Sequence, residues 1–133
     1  MLACGMGLLY PVTHSLSDRV IAAAIRVHRQ FGPGLLESAY QRCLEFELGA
    51  VGVRYAAEVP LHLEYRGGIV QDAYRIDLLV EEALVVELKS VEKLLPLHTS
   101  QVLTYLKLGG FRSGLLVNFN VPVLKDGLKR ILL

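Results

Sequence analysis

The chain has 133 residues, of which 53% are hydrophobic and 20% are charged, and its formal net charge is +1. This length suits a single domain, and so apolar a composition excludes an intrinsically disordered chain. Charged residues interrupt every long apolar stretch after residue 17, which excludes a membrane span, and the near-zero charge excludes strong long-range attraction to polyanions.

The first fifteen residues are apolar but lack the basic start of a secretory signal, so we expect a flexible tail there and a single domain over residues 16–133. The alternative is an ordered strand or helix docked on that domain. The two cysteines, Cys4 and Cys43, have neither the number nor the spacing of a disulfide framework or a zinc site. Their pattern favours a reducing, cytoplasmic setting.

Two helices are predicted first. Apolar residues recur at helical spacing over residues 15–31, with Ser15 or Ser17 as the N-cap, and again over residues 35–48. Gly32-Pro33-Gly34 separates the two patterns. We therefore expect a helical hairpin.

The remaining elements predict a sheet. The hydrophobic period changes to two from residue 53, with Pro60 as a break, a turn at Gly67-Gly68 and a hairpin loop at Glu81-Glu82-Ala83. The predicted strands cover residues 53–59, 61–65, 69–80, 84–89 and 114–119, and further helices cover residues 99–108 and 125–133. The order ααββββαβα predicts a mixed α/β fold with one central sheet flanked by helices.

The strand at residues 84–89 is almost wholly apolar, so its two charges, Glu87 and Lys89, require an explanation. Strand alternation places both on one face, and a three-residue hairpin loop places Asp77 opposite Glu87. Two adjacent carboxylates repel unless a proton or cation lies between them, and their hard oxygens favour Mg²⁺ or Mn²⁺. Lys89 is then placed to activate a water that attacks a phosphate. The alternative is a simple ion pair between Glu87 and Lys89.

Other candidates lie on the helices. Glu37 and Tyr40 are three residues apart and share a face, so Glu37 is a candidate third metal ligand and Tyr40 a candidate substrate contact. Gln101 and Tyr105, four apart, are placed to present an amide and a phenol to one ligand. A first-turn acid stabilised by the helix dipole is the alternative explanation for Glu37.

His98 and Lys93 precede or begin the helix that carries Gln101. His98 is a candidate hydrogen-bond donor to a phosphate, although capping of that helix or simple surface exposure explains it as well. Lys93 belongs to a basic bias in the second half of the chain, which we interpret as a rim that contacts the nucleic-acid backbone. A scattered, solvated surface accounts for it equally well.

The combination of Gly34-Leu35-Leu36-Glu37-Ser38-Ala39-Tyr40, Asp77, Glu87-Leu88-Lys89 and Gln101-Val102-Leu103-Thr104-Tyr105 resembles the GxxExxY family of small prokaryotic proteins. That family lies within the PD-(D/E)XK nuclease superfamily, and the resemblance extends over nearly all of residues 16–133. It implies a restriction-endonuclease-like core.

The resemblance also implies roles for individual residues. Asp77 and Glu87 would bind divalent metal, Lys89 would help to activate water for phosphodiester hydrolysis, and Glu37 would correspond to the first-helix acid. Gln101 and Tyr105 would correspond to the QxxxY helix motif of RecB-like exonucleases. The sequence departs from the superfamily pattern in having Ile76, rather than proline, before Asp77.

Two functions from different classes follow. The first is a Mg²⁺- or Mn²⁺-dependent nuclease that acts on nucleic acid, DNA foremost, without a membrane partner. The second is a noncatalytic nucleic-acid-binding or protein-interaction module that retains the nuclease fold. A different metal-dependent phosphoester hydrolase is a third possibility. Because the domain leaves little surface for recognition, we expect a second copy of the chain or a partner protein to supply part of it.

Overall fold

The computed structural model describes residues 12–133 as helices packed on a sheet. The helices are α1 (Val12–Phe31), α2 (Glu37–Ala50) and α3 (Pro96–Gly109). The strands are β1 (Tyr55–Tyr65), β2 (Gly68–Val80), β3 (Leu84–Lys89), β4 (Ser113–Asn118) and β5 (Leu128–Leu132), and a 3₁₀ turn, Leu124–Gly127, precedes the last of them.

The five strands form one sheet in the order β1-β2-β3-β4-β5. Strands β3 and β4 are parallel, and the other neighbouring pairs are antiparallel. Helix α3 makes the crossover that a parallel pair requires. The predicted mixed α/β fold with a central sheet flanked by helices is confirmed.

Helices cover both faces of the centre of the sheet. We call the layer beneath α1 and α2 the hairpin-side core; it includes Val20, Ala24, Leu44, Leu78, Val86, Leu88, Leu115, Val117 and Phe119. We call the layer beneath α3 the α3-side core; it includes Ile76, Val85, Val102, Tyr105, Leu106 and Leu116. Because β3 and β4 contribute to both layers, their sequences are almost continuously apolar.

The predicted hairpin between β2 and β3 is confirmed. Val80 lies opposite Leu84, and Glu81, Glu82 and Ala83 form the loop between them. Glu81 and Glu82 both have positive φ angles, of 51° and 58°, which the tight reversal of the chain requires. This loop sets the register of the strands that carry the candidate site.

Two predicted boundaries were wrong. Helix α1 already begins at Val12, so Ser15 and Ser17 lie inside the helix and not at its N-cap. Strand β1 continues through Pro60, which pairs with Arg75. An edge strand accommodates proline at a position whose N–H would face away from the sheet, because the N–H that proline lacks would have no partner there.

The predicted C-terminal helix over residues 125–133 is also wrong. The chain instead forms the 3₁₀ turn and then β5, which pairs with β4 along Leu128–Leu132. Gly127 permits this path, because a Cβ atom built there would lie 2.1 Å from the Asn118 carbonyl oxygen. The open edge of β4 thus overrides the local helical pattern.

Three further expectations concern the N-terminal tail, the cysteines and a membrane span. Cys4 and most of the predicted tail lie outside the described residues, whereas Cys43 is a partly buried free thiol. Within residues 12–133, no helix combines the length and the apolar character needed to cross a membrane.

Candidate active site

Strands β2 and β3 separate at the two predicted acids. Their antiparallel pairing ends where Leu78 lies opposite Val86, so the next residues along the two strands are Asp77 and Glu87. Backbone pairing is replaced there by a side-chain contact, in which Asp77 Oδ2 accepts the Leu88 N–H at 2.9 Å. The register predicted from the hairpin loop is therefore correct.

The alternation of side chains along β2 is also interrupted at Asp77. Residues two apart in a regular strand face the same side, yet Ile76 packs in the α3-side core and Leu78 in the hairpin-side core. This break in alternation opens a fork between β2 and β3. The two carboxyl groups lie at the fork, at the end of the sheet where β3 finishes.

Burial and mutual repulsion dominate the electrostatics of the pair. Glu87 is only 6% exposed, and burial together with the negative charge of Asp77 raises the pKa of Glu87 to about 8. Burial also raises the pKa of Asp77, although the hydrogen bond from the Leu88 N–H opposes that rise. Full ionisation of both groups near neutral pH therefore requires a compensating cation.

Lys89 supplies part of that positive charge. Its Nζ lies 3.9 Å from Glu87 Oε2, too far for a direct hydrogen bond. The ammonium nevertheless opposes the rise in the pKa of Glu87. Strand alternation places both side chains on one face of β3, as predicted, and that face is the α3 side, where Val85 packs. An ammonium that is not tightly paired retains donors for a substrate or a water.

Glu37 lies in the first turn of α2 and belongs to the same electrostatic environment. Its charge contributes to the raised pKa of Asp77. Its Oε2 accepts the N–H of Ser90, the residue after Lys89, at 3.0 Å. Ser90 Oγ also donates to the Leu35 carbonyl at 2.9 Å. These bonds fasten the end of β3 to the start of α2.

The acid pair fits a hard divalent cation. Glu87 Oε1 is buried and has no hydrogen-bond partner among the described residues, which is costly unless another group compensates it. Carboxylate oxygens are ligands that Mg²⁺ and Mn²⁺ prefer. No set of three or more His, Cys, Asp or Glu side chains in the described part of the chain has the arrangement of a metal site. The structure brings together two of the three predicted ligands, and Glu37 stands apart as a nearby charge.

Helix α3 brings Tyr105 against the acid pair. The side chain is 6% exposed, and burial, with the charges of Glu87 and then Asp77, raises its pKa to about 12. The phenol therefore stays protonated and can donate a hydrogen bond. Gln101 lies one helical turn earlier, and its Oε1 is buried without a partner in residues 16–133. The pair has the shared face that its spacing predicted.

Comparison with known proteins identifies the fold that carries this site. The family model of the PD-(D/E)XK nuclease superfamily matches residues 14–131. The chain belongs to the PD-(D/E)XK nuclease superfamily. No curated protein and no solved structure matches it.

Membership in the PD-(D/E)XK nuclease superfamily indicates a nuclease-type function and a nucleic-acid substrate. Nucleases of this superfamily typically use divalent metals such as Mg²⁺.

Tyr40, predicted to contact substrate, is a core residue. It is fully buried, and its ring stacks on Phe119 with centroids 4.3 Å apart. Its hydroxyl donates to the Gly32 carbonyl and accepts the Leu35 N–H at 3.1 Å. The residue therefore fixes the turn before α2, which positions Glu37, and it offers no surface to a ligand.

His98 and Lys93 lie on the segment that follows β3. His98 Nδ1 accepts the Leu95 N–H at 3.0 Å and so caps α3, as the alternative explanation held. Lys93 is exposed, and its contact with a nucleic-acid backbone stays a prediction.

Sequence reasoning missed Glu58, which lies opposite Asp77 in the pairing of β1 with β2. Its φ is 57°, and its carboxylate accepts hydrogen bonds from Arg75 at 2.9 Å and from Gln41 at 3.0 Å. These bonds lower the pKa of Glu58, whose charge in turn helps to raise the pKa of Asp77. Gln41 also donates to the Asp77 carbonyl at 3.4 Å. The pairing register of β1 with β2 would have placed Glu58 beside Asp77, but that register depends on a β-bulge.

Sequence reasoning also missed Asn118, which pairs with Lys89 across β3 and β4. Asn118 is buried; its Oδ1 accepts the Val91 N–H at 3.0 Å, and its Nδ2 donates to the Val91 carbonyl at 2.9 Å. The amide thus holds the chain just after Lys89 from the β4 side, while Glu37 and Ser90 hold it from the α2 side.

Proposed function

We propose that the chain is a divalent-metal-dependent nuclease that hydrolyses phosphodiester bonds, with DNA as its main substrate. The observation that carries the proposal is the acid pair at the fork. Glu87 is buried beside Asp77 and Lys89, and one of its oxygens has no partner in the described structure. The Lys89 ammonium lies 3.9 Å from the other oxygen, so neither oxygen has a close cationic partner within the described chain and both are available to a metal ion.

Each residue of the fork has a role in this proposal. Asp77 and Glu87 hold Mg²⁺ or Mn²⁺ from the two strands, and Glu37 joins them or acts through its charge. When bound, the ion supplies a Lewis acid and lowers the pKa of the attacking water. Lys89 orients that water and stabilises the charge that develops on the attacked phosphate.

Tyr105 and Gln101 are the proposed substrate contacts. Tyr105 donates from its protonated phenol, and Gln101 contributes its amide from the preceding turn of α3. The spacing Gly34, Glu37 and Tyr40 supports a place within the GxxExxY group of the superfamily. In this chain the tyrosine of that spacing supports the turn beneath Glu37.

The test is cleavage of end-labelled single- and double-stranded DNA and RNA, with Mn²⁺ and with EDTA. We expect metal-dependent cleavage by the parent and a loss of about a thousandfold in Glu87→Gln, the scale expected for removing one preorganised charged group. Glu82→Gln is the matched control, because Glu82 is an exposed acid on the loop of the same hairpin. Unchanged cleavage by Glu87→Gln would overturn the site assignment.

A thermal scan separates the nuclease from a noncatalytic module. A native state that binds Mn²⁺ is stabilised by mass action, so its thermal midpoint rises with Mn²⁺ in the parent and not in Glu87→Gln. An absence of cleavage by the parent, together with a thermal midpoint that does not change with Mn²⁺, would favour the noncatalytic module.

A further inference from the structure

An aromatic side chain outside the acid pair lies at the mouth of the candidate site. Tyr74 is on β2, three residues before Asp77, and its ring centroid is 5.7 Å from that of Tyr105 at an interplanar angle of 56°. Tyr105 is buried beside the acids, whereas Tyr74 is 38% exposed. The two rings therefore form a continuous aromatic surface that runs from the buried Tyr105, beside the carboxylates, to the solvent-exposed Tyr74.

The charges near the site disfavour binding that relies on the phosphate backbone. Four acids influence the fork, namely Glu37, Glu58, Asp77 and Glu87. Of the nearby cations, Arg75 is paired with Glu58 at 2.9 Å and Lys89 lies beside Glu87. With a net charge of +1, the chain has no general excess of positive charge either. A duplex binder gains most of its nonspecific affinity from many phosphate contacts.

Stacking supplies affinity where electrostatics does not. Aromatic side chains bind the faces of unpaired bases whatever their sequence. A base inside a duplex has both faces covered by its neighbours, so an exposed tyrosine beside the reacting groups discriminates against duplex. Tyr74 has the exposure for this contact, and its ring packs against Tyr105, which lies within reach of the charges of Glu87 and Asp77.

We propose that Tyr74 stacks on an unpaired base and that the site therefore takes single-stranded nucleic acid, or the unpaired end of a duplex. The inference rests on the proposed function for the location of the reacting phosphate. Its test is a binding measurement that does not require cleavage, so the two proposals fail separately.

The binding test uses the intrinsic lack of tryptophan in the chain. In the Tyr74→Trp variant the indole is a unique fluorophore, and a stacked base quenches it. We expect quenching by a single-stranded DNA or RNA oligonucleotide in the presence of Ca²⁺, another hard cation that binds carboxylate oxygens, and little quenching by a blunt duplex. Tyr65→Trp is the matched control, because Tyr65 is 67% exposed at the far end of the same β1–β2 hairpin, away from the acids.

Affinity measured by fluorescence anisotropy gives the second readout. Tyr74→Leu is expected to weaken the binding of the labelled single strand roughly tenfold, while Tyr74→Phe and Tyr65→Leu bind like the parent. The DNA and RNA arms identify which unpaired strand binds more tightly. A circular dichroism spectrum and thermal midpoint verify that each variant is folded.

Two results would overturn the inference. One is equal quenching of Tyr74→Trp by single strand and blunt duplex, or no quenching by either. The other is parental affinity in a folded Tyr74→Leu. Absence of metal-dependent cleavage with quenching intact would instead overturn the nuclease and leave the stacking contact established.

Discussion

The two ends of the β2–β3 pairing differ in almost every physical respect. Toward the loop end, Val80, Leu84, Val85 and Val86 are apolar and fully buried, and backbone pairing joins the two strands. At the fork, pairing stops, and carboxylates at Asp77 and Glu87 occupy the opening, one of them bound to a backbone N–H. Only a few residues separate the two ends.

This difference shows how one hairpin provides both stability and chemistry. The loop end gains its stability from apolar burial, and it fixes the register that brings Asp77 next to Glu87. The fork gives up stability, because two buried carboxyl groups repel each other. In the proposed function, a divalent cation relieves this repulsion.

The largest expected effect is on the rate at the fork. Lys89→Met should lower the rate of metal-dependent cleavage by about 10²–10⁴-fold, because it removes the ammonium that positions water and stabilises developing charge. The Mn²⁺-induced rise in thermal midpoint should persist, since both carboxylates remain. Initial rates and thermal scans measure the two effects.

Lys107→Met is the control for Lys89→Met, because Lys107 is exposed near the C-terminal end of α3. It should leave both the rate and the metal response unchanged. If Lys89→Met abolished the Mn²⁺ response as well, its role would be to maintain the acid pair and not to act on water.

The next effect is on the stability of the apolar, paired part of the hairpin. Leu78→Ala removes a fully buried side chain from the hairpin-side core and should lower the free energy of unfolding by about 2–5 kcal/mol. Leu132→Ala, at a leucine that is 77% exposed, should change it by less than about 0.5 kcal/mol. Denaturant titration measures both. Similar values for the two variants would contradict the assignment of Leu78 to the core.

The last effect is the pH dependence of stability in the metal-free chain. The folded pKa of Glu87 is raised from 4.5 to about 8, so the folded chain binds more protons than the unfolded chain between these values. The stabilising contribution is present below pH 4.5 and is lost as the pH rises through about 8. The raised pKa of Asp77 acts in the same direction.

Thermal midpoints measured in EDTA from about pH 5 to about pH 9 should therefore fall as the pH rises. Glu87→Gln should flatten this dependence, and Mn²⁺ should counteract it in the parent because metal binds the ionised carboxylates. A midpoint in EDTA that rises with pH over this range would contradict the buried acid pair.

Much of the fork was predictable because it depends on local geometry. The loop Glu81-Glu82-Ala83 is short enough to fix which residues face each other, and strand alternation then places Glu87 and Lys89 together. The spacing of Gln101 and Tyr105 likewise predicts a shared helical face. None of these predictions needed a contact between distant parts of the chain.

The register of β1 was not predictable in the same way. Counting from the turn that joins Tyr65 to Gly68, Glu58 would lie opposite Arg75. A bulge between Leu61 and Leu63 shifts the pairing by two residues, so Glu58 lies opposite Asp77. A bulge depends on packing across the sheet, and the sequence carries no local sign of it.

The sequence by itself determined the helical hairpin, the β2–β3 hairpin and the pairing of Asp77 with Glu87, because periodicity and short loops act over a few residues. The tertiary structure decided that Tyr40 is buried against Phe119, that Asn118 holds the chain after Lys89, and that the C-terminus is strand β5. Those outcomes depend on which apolar surface and which sheet edge the rest of the fold leaves exposed. A helical spacing cannot say which face a partner will bury, and an open sheet edge recruits a segment whose local pattern favours a helix.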